Sequence, residues 1–146
     1  IISEPISAAF DKCVFPGGLT YSGHPLAAAS IVANLTAMAE EGVVEHARQI
    51  GTDELGPGLE ALADKHEVIG EVRGTGVFWA VELVADRGSR EPLAAADMGR
   101  LKGDLTQAGL LPFIADNRLH VVPPAVVTAD EVAQGLEIID GALSRL

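Results

Sequence analysis

The residues whose types and spacing best suit chemistry lie in one glycine-rich run, Phe15-Pro16-Gly17-Gly18-Leu19-Thr20-Tyr21-Ser22-Gly23-His24-Pro25-Leu26, which leads straight into a helical pattern. Free backbone N–H groups, a Thr hydroxyl and the positive end of a helix dipole together favour an anion, above all a phosphate. No Gly-Lys-Ser/Thr follows, so this is not a P-loop. The competing reading is an ordinary capping loop that uses glycine for tight turns.

Other chemistry-bearing residues are scattered. The four histidines, His24, His46, His66 and His120, have no His, Cys or carboxylate partner at zinc-site spacing, so no metal centre is expected. His46 and His66 read as solvated residues at helix ends, and His24 as a hydrogen-bond donor that fixes the loop. His120 alternates with Leu119 and Val121 on an expected strand and so faces the other way. Arg118, at the tip of an expected hairpin, is either a solvated turn residue or a carboxylate clamp, because a guanidinium fork matches a carboxylate in bidentate fashion. Arg73, inside Glu71-Val72-Arg73-Gly74-Thr75-Gly76, is expected to pair with a nearby acid. Phe78 and Trp79 read as core residues of a strand, and Glu40, Glu41 and Glu45 as a wet helix face.

The elements that must position these residues follow from periodicity. Pro5, Pro16, Gly17, Gly18, Gly23 and Pro25 make residues 1–24 a lead-in loop without a long regular element. Ala28, Ile31, Val32, Leu35, Met38 and Ala39 predict a helix over 25–41, opened by Pro25 and ended or bent at Gly42. A second helical stretch runs through Val44, Ala47, Ile50, Leu55, Leu59 and Leu62, kinked by Pro57 between two glycines. Two strands are expected over 68–74 and 77–84, with a polar and partly disordered loop over 86–92. A helix marked by Ala94, Met98, Leu101, Leu105 and Ala108 stops at Gly109. Apolar runs at 110–114 and 119–122 flank Ala115-Asp116-Asn117-Arg118 as a hairpin signal. Thr128-Ala129-Asp130-Glu131 opens the last helix as a capping box. This order predicts an α+β sandwich, a small and mostly antiparallel sheet covered by helices.

Composition narrows the function classes. Ten basic against 21 acidic residues in 146 give a formal charge of -11, which argues against a nucleic-acid surface. At 48% hydrophobic residues the chain has material for a core. Its longest apolar runs fall far short of the ~20 residues that cross a bilayer. Residues 1–5 lack the basic start and apolar stretch of a signal peptide, and no initiator Met is present, so a chain cut from something longer is expected. The single Cys13 suits a reducing compartment, and a cytoplasmic location is expected.

Taken together, Gly18-Leu19-Thr20-Tyr21-Ser22-Gly23-His24-Pro25-Leu26-Ala27, then Glu71-Val72-Arg73-Gly74-Thr75-Gly76 with Glu82-Leu83, then Pro123-Pro124 before a Thr-capped helix, resemble class III pyridoxal-phosphate-dependent aminotransferases. The resemblance runs through nearly the whole chain in the family's order. It implies a fold type I enzyme, with residues 1–24 closing the large cofactor domain, 25–66 forming connecting helices and 67–146 forming the C-terminal small domain. It implies a homodimer that binds pyridoxal 5'-phosphate (PLP), with Leu19 and Thr20 on the cofactor phosphate and Thr20 reaching the neighbouring subunit's active site. The activity implied is transfer of an amino group between an amine or amino acid and a 2-oxo acid. The family's cofactor-bearing lysine lies upstream of the stretch matching residues 1–5, and Lys12, Lys65 and Lys102 do not occupy its position. The isolated chain is therefore expected to be inactive. Many members carry an Arg three residues before Pro-Pro, where this sequence has His120, so Arg118 is taken as the carboxylate contact with His120 lining the site. Two other readings are an aminomutase or decarboxylase on the same scaffold, and a stand-alone ligand-binding or oligomerisation module.

Overall fold

The computed structural model describes residues 2–146; Ile1, the first residue of the expected lead-in loop, lies outside the described residues. The chain divides into two compact units, one ending at residue 40 and one spanning residues 41–146, each described by itself.

The first unit contains α1 (Glu4–Ala9) and α2 (Pro25–Glu40). The lead-in segment thus holds one short helix, opened by Pro5 in its first turn, before the breakers from Pro16 onward keep the chain irregular. Pro25 starts α2 as expected, because its missing N–H belongs to a first turn that has no intrahelical acceptor for it. No side chain of α2 is buried; Leu26, Ile31, Val32 and Leu35 are between 58% and 71% exposed.

The second unit opens with α3 (Val43–Ile50) after Gly42, whose φ of 63° suits glycine. A π-helical turn, Gly51–Leu55, then carries the chain into α4 (Gly56–Lys65), with Pro57 in the first turn of α4. The expected kink is therefore a widened turn, in which the Gly56 N–H reaches back to the Gly51 carbonyl. The sheet is β1 (Ile69–Thr75), β2 (Phe78–Asp86), β3 (Glu91–Pro92), β4 (Phe113–Ala115) and β5 (Arg118–Val121). Its spatial order is β1-β2-β5-β4, every pairing antiparallel, with β3 on β2. Helices α5 (Ala95–Gln107) and α6 (Ala129–Leu143) complete the unit, so the expected α+β architecture is the observed one.

One core unites these elements. Ile50, Leu55, Leu59 and Leu62 from the helices before the sheet join Val81, Leu83 and Leu119 from the strands and Leu101, Leu105 and Ile139 from α5 and α6. Residues 41–66 therefore share their core with residues 67–146. The helix ends follow the sequence signals. Gly109 at φ 93° closes α5, with its own N–H on Thr106 O and that of Leu110 on Leu105 O. Thr128 and Glu131 form the reciprocal capping box of α6.

Several polar residues sit elsewhere than expected. The segment over 86–92 is a built turn: the Asp86 carboxylate accepts from the Ser89 N–H at 2.7 Å and hydroxyl at 2.9 Å, and the chain returns as β3. His66 is buried, not solvated; its Nε2 lies 2.6 Å from Asp140 Oδ1, which satisfies a ring that would otherwise lose its water. His46 Nε2 lies 2.8 Å from the Val127 carbonyl oxygen, tying α3 to the segment before α6. Arg87 donates to the carbonyl oxygens of Ala63, His66 and Ile69, so it closes the C-terminal end of α4.

Asp140 gives this arrangement a pH dependence. The Lys65 ammonium at 2.6 Å, and after it the His66 ring, hold the Asp140 carboxyl below its ordinary value. A depressed carboxylate contributes stability above its unfolded pKa of about 3.9, and that contribution is lost as pH falls through the lower folded value. Asp140→Asn is expected to melt below the wild type at pH 7, with the gap closing below about pH 4. Thermal melts of both proteins across this range check it; a gap unchanged down to pH 3 contradicts it.

Candidate functional site

In the first unit the glycine-rich loop forms two consecutive turns. The Ser22 N–H donates to Leu19 O at 3.0 Å and the His24 N–H to Tyr21 O at 3.1 Å. Gly23 sits at φ 73°, where a side chain is strained. His24 differs from its expected role as a donor: its Nδ1 accepts from the Ala27 N–H at 3.4 Å and so caps α2, which needs an acceptor at that place. Among the described residues, the peptide N–H groups of Leu19, Thr20 and Tyr21 have no acceptor, and all three residues are exposed. Residues 13–39 carry no Asp, Glu, Lys or Arg, in a chain with 21 acids. The loop therefore offers a hydroxyl, free N–H donors and a 16-residue helix N-terminus with no carboxylate beside it in sequence. That donor set fits the phosphate end of PLP.

In the second unit, cross-strand register sorts the sheet's residues into rows. Glu71, Glu82 and Arg118 stand in line across β1, β2 and β5. Arg73, Ala80, His120 and Phe113 form the next row on the same face, and Thr75 pairs with Phe78 beyond it. The opposite face carries Val72, Val81 and Leu119 into the core. Phe78 is therefore on the outside, 60% exposed, and not a core residue; strand alternation sends Trp79 inward, its Nε1–H on Gly76 O at 2.7 Å. The His120 ring stands edge-on to Phe113 at a centroid distance of 5.1 Å and to Phe78 at 6.5 Å.

The guanidiniums of this face are engaged. Arg73 reaches Glu82 at 3.2 Å and Glu71 at 3.4 Å, as its expected pairing requires. Arg90 reaches Glu71 at 2.6 Å and Glu82 at 3.3 Å. Hydrogen bonds from Arg73 and then Arg90 hold the Glu82 carboxyl below the usual range against the opposing effect of its burial. Arg118 donates to Asp116 at 2.8 Å across the hairpin turn.

Arg118 and His120 thus share one face of the sheet, while Leu19 and Thr20 share one loop of the other unit. Sequence reasoning missed Phe78 and Phe113 as the neighbours of His120. The alternation of Val81 and Leu83 inward would have revealed Phe78; the register that sets Phe113 beside His120 needed the hairpin itself. Among the described residues no group of His, Cys, Asp and Glu could hold a metal ion, and no helix is long and apolar enough to cross a membrane.

With this geometry in hand, similarity to known proteins is specific. The sequence pattern of the family described as Aminotransferase class-III matches residues 5–143. A taurine–pyruvate aminotransferase of Rhodobacter capsulatus is 36% identical over 142 residues, which are 92% of this chain and 30% of that protein. An ethanolamine-phosphate phospho-lyase homolog of Caenorhabditis elegans is 32% identical over 131 residues, 87% of this chain and 28% of that one. The crystal structure of a taurine:2-oxoglutarate aminotransferase from Bifidobacterium kashiwanohense, in complex with PLP and glutamate, superposes with a TM-score of 0.87 at 31% identity. It covers 99% of this chain and 33% of that structure's chain. The chain belongs to the class-III aminotransferase family. It spans about a third of the length of the curated relatives it matches, between 28% and 34% of each of three of them.

Proposed function

We propose that this chain works within a PLP-dependent aminotransferase that moves an amino group between an amine or amino acid and a 2-oxo acid. The observation that carries the reading is the family match across residues 5–143. When bound, PLP supplies the electron sink through which the donor exchanges its amino group and a hydrogen for the acceptor's carbonyl oxygen. The chain's own residues hold and shape. The Thr20 hydroxyl and the N–H groups beginning at Leu19 donate to the cofactor phosphate, with Thr20 serving the neighbouring subunit's site in a homodimer. Arg118 and His120 face the substrate. The lysine that carries the cofactor comes from outside these 146 residues, so this chain alone is inactive. The enzyme works in the cytoplasm, in keeping with the single Cys13.

A phospho-lyase reading is the second one, because the Caenorhabditis elegans relative named for that activity is 32% identical. The test uses the full-length protein loaded with PLP. An amine alone is expected to shift the cofactor's absorbance, and a 2-oxo acid added afterwards to restore it, since transfer runs in two separable halves. No shift with any donor overturns the proposal; a shift accompanied by free ammonia and phosphate from a phosphorylated amine supports the second reading.

A further inference from the structure

The proposed function leaves unused a partly enclosed cavity of about 300 Å³ in the second unit, between β5, the Pro123–Pro124 segment and α6. We propose that it binds an aliphatic ammonium ion, with the alkyl chain inside and the charged head against Glu131 at the mouth. The residues that form it all belong to this unit, so the site stands or falls separately from the aminotransferase reading.

The wall is aliphatic. Leu119 and Val121 from β5, Pro123 and Pro124 after it, and Val132 and Leu136 from α6 make up much of it. Glu131 and His120 alone bring polar side chains, and the His120 ring stands edge-on to Phe113. An ordered water needs several polar partners, so this wall holds water poorly and an apolar chain displaces little. Sites for small molecules begin at about this size and are mostly apolar, with a few placed polar groups. No Phe, Tyr or Trp lines the cavity, so a flat ring finds no stacking partner of that kind, whereas an alkyl chain needs none.

Charge decides the head group. Glu131 accepts both the Thr128 N–H and the Thr128 hydroxyl on Oε2, each at 2.9 Å, which leaves Oε1 without a partner among the described residues. These bonds, the backbone one first, hold the Glu131 carboxyl below its ordinary value, so it is ionised at neutral pH. No Lys or Arg lines the cavity. The positive end of the α6 dipole amounts to about half a charge, and Asp130 and Glu131 in the first turn outweigh it. A carboxylate or phosphate head is therefore repelled, and an ammonium head is drawn to Oε1.

The probe is n-hexyltrimethylammonium, which has no N–H and so cannot condense with the PLP carbonyl. It is tested on the full-length, PLP-loaded protein by saturation-transfer NMR. Transfer to its chain protons is expected, with a Kd about 15-fold below that of the n-butyl homologue, as two more buried methylenes require. Hexanoate, an alkyl chain with a negative head, is expected to show no transfer. Glu131→Gln removes the charge but keeps the capping box, since Gln serves at that position, and is expected to weaken binding about three- to fivefold. In Gly135→Leu the new side chain points back over Glu131 and Val132, and its Cβ meets Leu110 Cδ1 at 3.9 Å, an ordinary contact. It fills the cavity, and binding is expected to disappear while the circular dichroism spectrum stays that of the wild type. No transfer in the wild type, which includes the case of another stretch of the full-length chain occupying the cavity, overturns the inference. So does equal binding of hexanoate, or binding unchanged in either variant.

Discussion

In the full-length protein, Thr20→Ala is expected to weaken PLP binding by about 10- to 150-fold, the equivalent of the ~1.5–3 kcal/mol that a hydrogen bond to a charged group contributes. The hydroxyl sits on an exposed loop residue whose backbone turns are closed by Leu19, Tyr21, Ser22 and His24. Removing it therefore leaves the turns and α2 in place, and the change reads out as cofactor affinity and not as stability. Thr20→Ser keeps the donor and is expected to stay within about threefold of the wild type, well under one such hydrogen bond. Equilibrium dialysis with PLP at fixed ionic strength measures both. Equal affinity in Thr20→Ala and wild type would remove Thr20 from the phosphate site.

The largest effect on stability is expected at Gly51. A Cβ built there would lie 2.1 Å from the Gly76 carbonyl oxygen, a backbone atom, so either the π-helical turn or the turn between β1 and β2 must move. Gly76 cannot give way freely, since it sits at φ 53° and its oxygen accepts from Trp79 Nε1 at 2.7 Å. Next along the chain, Gly56 packs against the Trp79 ring, where a Cβ would come within 2.8 Å. Gly51→Ala is therefore expected to destabilise by about 3 kcal/mol, the upper end for overpacking. Gly99→Ala makes the same chemical change on the exposed side of α5, where nothing lies within 4 Å, and is expected to stabilise by up to about 1 kcal/mol through helix propensity. Urea midpoints of the two variants should move in opposite directions. Midpoints moving together would mean that the contact between the π-helical turn and Gly76 carries no strain.

The contrast between these glycines also shows which features could be read in advance. Signals confined to a few neighbouring residues were legible: Pro25 opening α2, Gly109 closing α5, the Thr128–Glu131 capping box and the two-residue turn between β4 and β5. Each is decided by local hydrogen bonding or allowed φ, which sequence spacing encodes. Partners far apart in sequence were not legible. His66 looked solvated because Asp140, its acceptor, lies 74 residues away, and His46 because Val127 lies 81 away. Pro57 signals a kink but not the π-helical turn before it, since the close approach of Gly51 to Gly76 that this turn permits is a tertiary fact. Phe78 looked buried because an aromatic residue in a strand usually is, whereas register puts it in line with Thr75 on the outer face. In the candidate site, the loop around Thr20 was legible as an anion-binding pattern from glycine, hydroxyl and helix start. The company of His120 was not, because Phe78, Ala80 and Phe113 come from other strands.

The most direct measurement follows one nitrogen atom. The full-length protein, loaded with PLP, is given a ¹⁵N-labelled amine and an unlabelled 2-oxo acid, and the products are separated and analysed by mass spectrometry. The predicted result is ¹⁵N in the amino acid made from the 2-oxo acid, in amount equal to the carbonyl compound made from the amine. Label recovered as ammonia, or no label leaving the amine, would contradict amino transfer.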